Sequence, residues 1–184
     1  SQNFTTATNA YNVAVGYSAG TAVTTGIKNA MFGTLALSAS TTGQENVAIG
    51  HQALTADTKG QRNVAVGANA LDIQNFTTAT NSYNVAMGYA AGGAVTTGVQ
   101  NTIVGGLAGD ALTDADYNVA IGIEALSADT LGSGSTAIGR NALSTQNFTT
   151  ATTTYNTAVG DRAGLSVTTG IKNTLIGGLA GDAT

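Results

Sequence analysis

A short alternation of apolar and small residues recurs along the whole chain. Asn12-Val-Ala-Val-Gly16 returns from Asn46, Asn63, Asn84 and Asn118, with looser copies from Asn29, Asn101, Ser135, Asn156 and Asn173. The ten copies are spaced 17, 17, 17, 21, 17, 17, 17, 21 and 17 residues apart. A second period of 72 residues lies above the first, because Gln-Asn-Phe-Thr-Thr-Ala-Thr starts at Gln2, Gln74 and Gln146. Apolar residues alternating over so few positions predict one short β-strand per copy. Strict recurrence of such a unit predicts a solenoid in which each copy is one coil. The expected fold is therefore all-β: a parallel β-solenoid of 17-residue coils with 21-residue variants, one repetitive segment over residues 1–184.

Aligning the copies with one another gives column preferences inside this single sequence. Four residues after the asparagine every copy has glycine, among them Gly16, Gly50, Gly88, Gly122 and Gly160. Such a column suits a corner that needs positive φ or leaves no room for a Cβ. Seven residues after it every copy has alanine, from Ala19 to Ala180, which implies a small fixed pocket beside the corner. Two residues after the asparagine stands Ala, replaced by Met31, Ile103 and Leu175; three after it stands an apolar residue in every copy, such as Val15, Ile49 and Ile121. Neighbouring strand residues point to opposite faces, so both faces are expected to be covered. One coil has one interior; the second face calls for lateral association of chains.

Further columns predict a second strand, with Ala ten and Thr twelve residues after the asparagine, as at Ala22 and Thr24 or Ala39 and Thr41. The threonines are expected to point inward and bond up the stack. An exchange is also visible. Coils with Leu37, Leu54 or Leu126 carry Ser40, Asp57 or Asp129 three residues later, whereas coils with Gly20, Gly92, Gly109 or Gly164 carry Val23, Val95, Leu112 or Val167. One large apolar group per coil is thus expected to fill a common core volume from either of two places, at about 1.5–3 kcal/mol each.

Composition narrows the function. Charged residues make up 9% of the chain, against roughly 25% in ordinary soluble domains. The formal net charge is −4, with six scattered basic residues, which argues against a nucleic-acid partner because phosphate binding needs clustered Lys and Arg. No apolar run approaches a membrane span and no signal peptide is visible, so no membrane insertion is expected of this segment. With no Cys and one His, no nucleophile–base pair and no His-rich metal site can be assembled from one chain, so neither enzyme activity nor any metal or cofactor is expected. His51 stands in a column with Tyr17, Thr34, Ala68 and Arg140, as an exposed position would. Asp57 and Asp129 are expected to be solitary and solvated. Gly105 to Asp110 lacks the order of a calcium-binding nonapeptide, and Gly132-Ser133-Gly134 lacks the Lys-Ser/Thr of a phosphate loop.

The unit Asn-x-Ala-[Val/Ile]-Gly-x-x-Ala resembles the head repeats of trimeric autotransporter adhesins of the YadA-like type. Thr168 to Gly181, Thr-Thr-Gly-Ile-Lys-Asn-Thr-Leu-Ile-Gly-Gly-Leu-Ala-Gly, is similar to repeats of bacteriophage tail fibres. The resemblance covers nearly the whole chain and implies a left-handed parallel β-roll with three chains side by side. The coils here are longer than those of adhesin heads. The expected role is a structural segment of an extracellular, cell-surface or virion-tail fibre: a homo-oligomer, a trimer by this resemblance. The absence of polar caps leads us to expect the chain to continue or to stack end to end.

The 21-residue coils offer the candidate site. Their four extra residues are expected within Gln-Asn-Phe-Thr-Thr-Ala-Thr, around Phe4, Phe76 and Phe148, followed by Tyr11, Tyr83 and Tyr155. Asn3, Asn75 and Asn147 each satisfy the Asn-x-Thr glycosylation pattern. Two readings stand: a protruding loop that contacts a host receptor or carries a glycan, or a corner bulge whose Phe and Tyr pack on the rod. The bulge would also mark register among near-identical coils. Paired threonines such as Thr24-Thr25 raise an ice-binding reading, which Lys59, Asp114 and Leu131 disfavour by interrupting the second column. A self-assembling extracellular filament is a further alternative.

Overall fold

A computed structural model of the chain describes residues 8–182. Each copy of the motif forms one three-residue strand, and two further pairs of two-residue strands accompany the long coils. In chain order they are β1 (Val13–Val15), β2 (Ala30–Phe32), β3 (Val47–Ile49), β4 (Gly60–Gln61), β5 (Val64–Val66), β6 (Thr80–Asn81) and β7 (Val85–Met87). There follow β8 (Thr102–Val104), β9 (Val119–Ile121), β10 (Gly132–Ser133), β11 (Thr136–Ile138), β12 (Thr152–Thr153), β13 (Thr157–Val159) and β14 (Thr174–Ile176). The ten longer strands form one parallel sheet in the order β1-β2-β3-β5-β7-β8-β9-β11-β13-β14. No helix occurs among the described residues. The fold is a parallel β-solenoid of ten coils, with successive rungs about 4.8 Å apart.

Register is kept residue for residue. Ala48 pairs with Ala65 and Ala65 with Ala86, so the ladder crosses the first long coil unchanged. The second is crossed in the same way, with Ala137 opposite Ala158. The four extra residues are therefore accommodated away from the sheet. Gly60 and Gln61 pair with Thr80 and Asn81, while Thr58 bonds to Asn75. Three of the extra residues thus fall between Asn75 and Thr80, as the sequence suggests, but the fourth is a separate bulge beside Ser82.

Each strand is three residues long because the glycine behind it turns the chain. Gly50 has φ 132°, and a Cβ on it would lie 2.5 Å from the carbonyl oxygen of Gly67 in the next coil. Both reasons for a glycine column therefore apply at once. The other bends use left-handed residues most of which are not glycine, although Gly20, Gly92, Gly109 and Gly164 stand at one of them. In the third coil Glu45, Gln52 and Leu54 have φ of 59°, 58° and 51°.

The core is one continuous apolar column. Ala48, Ala65, Ala86, Ala120, Ala137 and Ala158 point inward from the strands and are fully buried. Ala53, Ala70, Ala91, Ala108, Ala125 and Ala142 are buried beside the corner, as an invariant small pocket requires. Ala14, in the first described rung, is exposed. Leu54 and Val95 belong to the same core cluster. At Gly92, where other coils have Leu, an added Cβ would lie 2.9 Å from Ile103 Cδ1, 3.0 Å from Leu71 Cδ2 and 3.4 Å from Val95 Cγ2. The vacated space is thus taken by the Val three residues on and also by a bulky residue in the next strand. Met31 and Leu175 fill the same role above Gly20 and Gly164.

The expected second strand is not formed. Ala22 to Thr24 and Ala39 to Thr41 lie in bends. The chain turns back on itself there, Val23 N bonding to Gly20 O at 3.1 Å and Ser40 N to Leu37 O at 3.4 Å. The backbone still bonds up the stack, Thr24 N to Thr41 O and Thr41 N to Thr58 O, both at 2.9 Å. The threonines are half-buried and do not face the core; Val23, Ser40 and Asp57, between the Ala and Thr columns, do. Their hydroxyls nevertheless donate upward, from Thr24 to the Thr41 carbonyl at 3.0 Å and from Thr113 to the Thr130 carbonyl at 3.0 Å.

Candidate functional site

The long coils do not display the aromatic loop that one reading of the sequence offers. Phe76 and Phe148 are only 6% and 8% exposed. Tyr83 and Tyr155 point outward instead. Asn75 and Asn147 are exposed, and their Oδ1 atoms accept hydrogen bonds from the hydroxyls of Thr58 (3.0 Å) and Thr130 (3.3 Å). Thr77, Thr78 and Ala79 complete a small polar protrusion. Asn3 and Phe4 lie outside the described residues.

Beneath each protrusion is a buried carboxylate, and here the expectation of solvated aspartates is overturned. Asp57 and Asp129 have no exposed surface. Asp57 Oδ1 accepts from the amides of Gly60 (2.9 Å) and Phe76 (3.3 Å), and its Oδ2 accepts from Gln74 Nε2 at 2.7 Å. Asp129 repeats the pattern with Gly132 (3.1 Å), Phe148 (2.9 Å) and Gln146 (2.5 Å). Gln74 Oε1 in turn accepts from Asn84 Nδ2 at 2.8 Å, and Gln146 from Asn156 at 2.7 Å. A carboxylate is affordable inside a core only with its lone pairs occupied, and the long coil supplies the donors. Burial raises the carboxyl pKa of Asp57 from its ordinary value, against the opposing pull of Gln74 and the Gly60, Phe76 and Lys59 amides. Both aspartates occur in the coil immediately before a 21-residue coil. This placement makes each a seat for the coil that follows.

The motif asparagines form a ladder that the column alone could have suggested, since nine of the ten copies carry Asn. Asn29 Oδ1 accepts from the Asn46 amide at 3.0 Å, and Asn46 Oδ1 from the Asn63 amide at 2.9 Å. Asn29 Nδ2 donates to the carbonyl of Gly43 and Asn46 Nδ2 to that of Gly60, both at 2.9 Å, closing each coil on itself. Where Ser135 replaces the asparagine, Thr154 meets its hydroxyl at 2.5 Å, whereas Ser82 donates to Asn63 at the equivalent place.

The outer face of the sheet is apolar and uncovered in the single chain. Val15 is 56% exposed, Phe32 and Ile49 39% each, and Met87 44%. The residue before each asparagine borders one edge of this face and the residue five after it borders the other. On the first edge Glu45 pairs with Lys28 at 3.3 Å and Arg62 at 2.9 Å, and Arg62 also reaches the Tyr83 hydroxyl at 3.0 Å. The Arg62 and Lys28 side chains hold the Glu45 carboxyl below its usual range. His51 is exposed on the second edge. Among the described residues no three His, Cys, Asp or Glu side chains converge, no enclosed cavity is present, and no helix is long and apolar enough to cross a membrane. No family model, curated protein or solved structure matches the chain.

Proposed function

We propose that the chain is a structural segment of a fibre, a rod whose apolar sheet face is covered by further copies of itself lying side by side. One observation carries this reading. The position three residues after the motif asparagine is apolar in all ten coils, although its side chain points away from the coil's own core and is exposed or half-exposed on every rung. A position facing only water would drift in chemistry, as the column of Thr25, Lys59 and Asp114 does elsewhere on the coil. The strip runs about 43 Å over nine rung intervals, with no polar interruption in that column. Three copies around a common axis would bury it completely, as the repeat resemblance implies. A rod of this kind suits an extracellular or virion-tail fibre that holds a tip away from its particle.

Light scattering on the native protein tests the reading, with a stable oligomer as the expected result. Ile49→Asp together with Ile121→Asp should dissociate it to folded monomers. A native protein that stays monomeric at high concentration would overturn the proposal.

The exposed protrusions at Asn75 and Asn147 favour a second role carried by the same rod. They stand four rungs apart, about 19 Å, and would present glycans at that interval. Intact mass measurement of protein from its native source tests this, and unmodified Asn75 and Asn147 would remove it.

A further inference from the structure

We infer that in such an assembly the residue before the asparagine of each coil meets, at the same height, the residue five places after the asparagine in the neighbouring copy. The inference rests on the lateral association proposed above and adds which edges touch. Glu45 and His51 show the geometry, since they flank opposite ends of the outward-facing strand β3. Homo-oligomers are generally closed and symmetric. Rotation about an axis parallel to the rods keeps every rung at its own height. With the apolar face turned inward, the leading edge of one copy then lies beside the trailing edge of the next, whatever the number of copies.

Three features of the two edges agree with this pairing. First, all six tyrosines of the chain lie in these two columns and every one is exposed: Tyr11, Tyr83, Tyr117 and Tyr155 on the leading edge, Tyr17 and Tyr89 on the trailing edge. Tyrosine is enriched in protein interfaces. Second, bulky apolar groups coincide at equal height: Tyr11 would meet Tyr17, Tyr83 would meet Tyr89, and Tyr117 would meet Ile123. Third, no rung brings like formal charges together. A shift of one rung sets Tyr83 against Gly106 or Ala68 and so breaks the aromatic pairing.

The absence of cysteine from the chain gives a clean test. In Glu45→Cys/His51→Cys protein, oxidation or a short bismaleimide should produce covalent multimers on denaturing gels. The link should form at least tenfold faster than in the off-rung pair Lys28→Cys/His51→Cys. Tyr117→Cys/Ile123→Cys repeats the test at a second height, in case the first pair disturbs folding. If light scattering shows an oligomer but neither same-rung pair links faster than the off-rung pair, the edge pairing is wrong while lateral association stands. If the native protein is a monomer, both fall.

Discussion

Gln74 lies directly above Asp57, and its side-chain amide donates at 2.7 Å to Oδ2 of a carboxylate with no solvent contact. The bond joins two coils of different length. The carboxylate's other oxygen takes the Phe76 amide at 3.3 Å, a donor inside the inserted segment. A coil without an insertion has neither group in place.

Asp57→Asn should therefore loosen one protrusion and leave its twin intact. The new Nδ2 would face Gln74 Nε2, donor against donor, and turning Gln74 over would set the same conflict against Asn84. The expected loss is about 2 kcal/mol, the scale of a hydrogen bond to a charged group. Amide exchange at Gly60 and Phe76 should accelerate, with Gly132 and Phe148 over Asp129 unchanged as the internal control. Equal exchange at both seats would argue against the seat role.

The pH dependence follows from two opposed sets of carboxyls. Burial raises the folded-state pKa of Asp57, so its contribution is fully present below the unfolded carboxyl value, about 4, and is lost as pH rises through the folded value. Glu45 and Asp161 are lowered, by Arg62 and Lys28 and by Arg140 respectively. Their contribution is present above the unfolded value and is lost as pH falls through the folded one. In a Glu45→Gln/Asp161→Asn background the urea midpoint should rise as pH falls through the carboxyl range. Adding Asp57→Asn should remove one part of that rise; Asp72 and Asp110, whose carboxyl pKa burial also raises, keep the rest.

The two kinds of glycine should respond in opposite ways to one methyl group. Gly50→Ala forces a Cβ against the Gly67 carbonyl at 2.5 Å and into φ 132°, and should cost more than 3 kcal/mol by combining overpacking with backbone strain. Gly106 has nothing within 4 Å of such a Cβ, so Gly106→Ala should be neutral or slightly stabilising. Urea unfolding of the two variants makes the comparison.

Exchange of core volume can be tested within the second coil. Leu37→Gly copies what the first coil has at Gly20 and should cost about 3 kcal/mol. Ser40→Val copies Val23 and should recover at least 1 kcal/mol of that loss in the double variant, by burial of its side chain. A double-mutant cycle with no coupling would mean that the two positions fill separate volumes.

Recurrence made the architecture legible before any coordinates. Ten motif copies, a glycine column and an alanine column are each the local result of one geometric demand repeated on every rung, and a single sequence carries ten independent samples of it. The exchange of Leu37 or Leu54 for Val23 or Val95 was readable for the same reason, and so was the uncovered outward strand face.

What the tertiary structure alone decided depends on groups that meet across coils. Asp57 reads as a surface residue because no side chain near it in sequence pairs with it; beyond the local Gly60 amide, its partners Gln74 and Phe76 arrive from 17 and 19 residues away. The asparagine column hints at a ladder, but which amide each side chain serves is decided 17 residues away, in the next coil. Thr24 and Ala22 alternate as a strand would, yet a turn closed by Val23 N on Gly20 O at 3.1 Å takes its place. Phe76 turned inward and Tyr83 outward for a reason no column shows: the inserted segment folds back over a buried carboxylate, and that seat holds the phenylalanine against the rod.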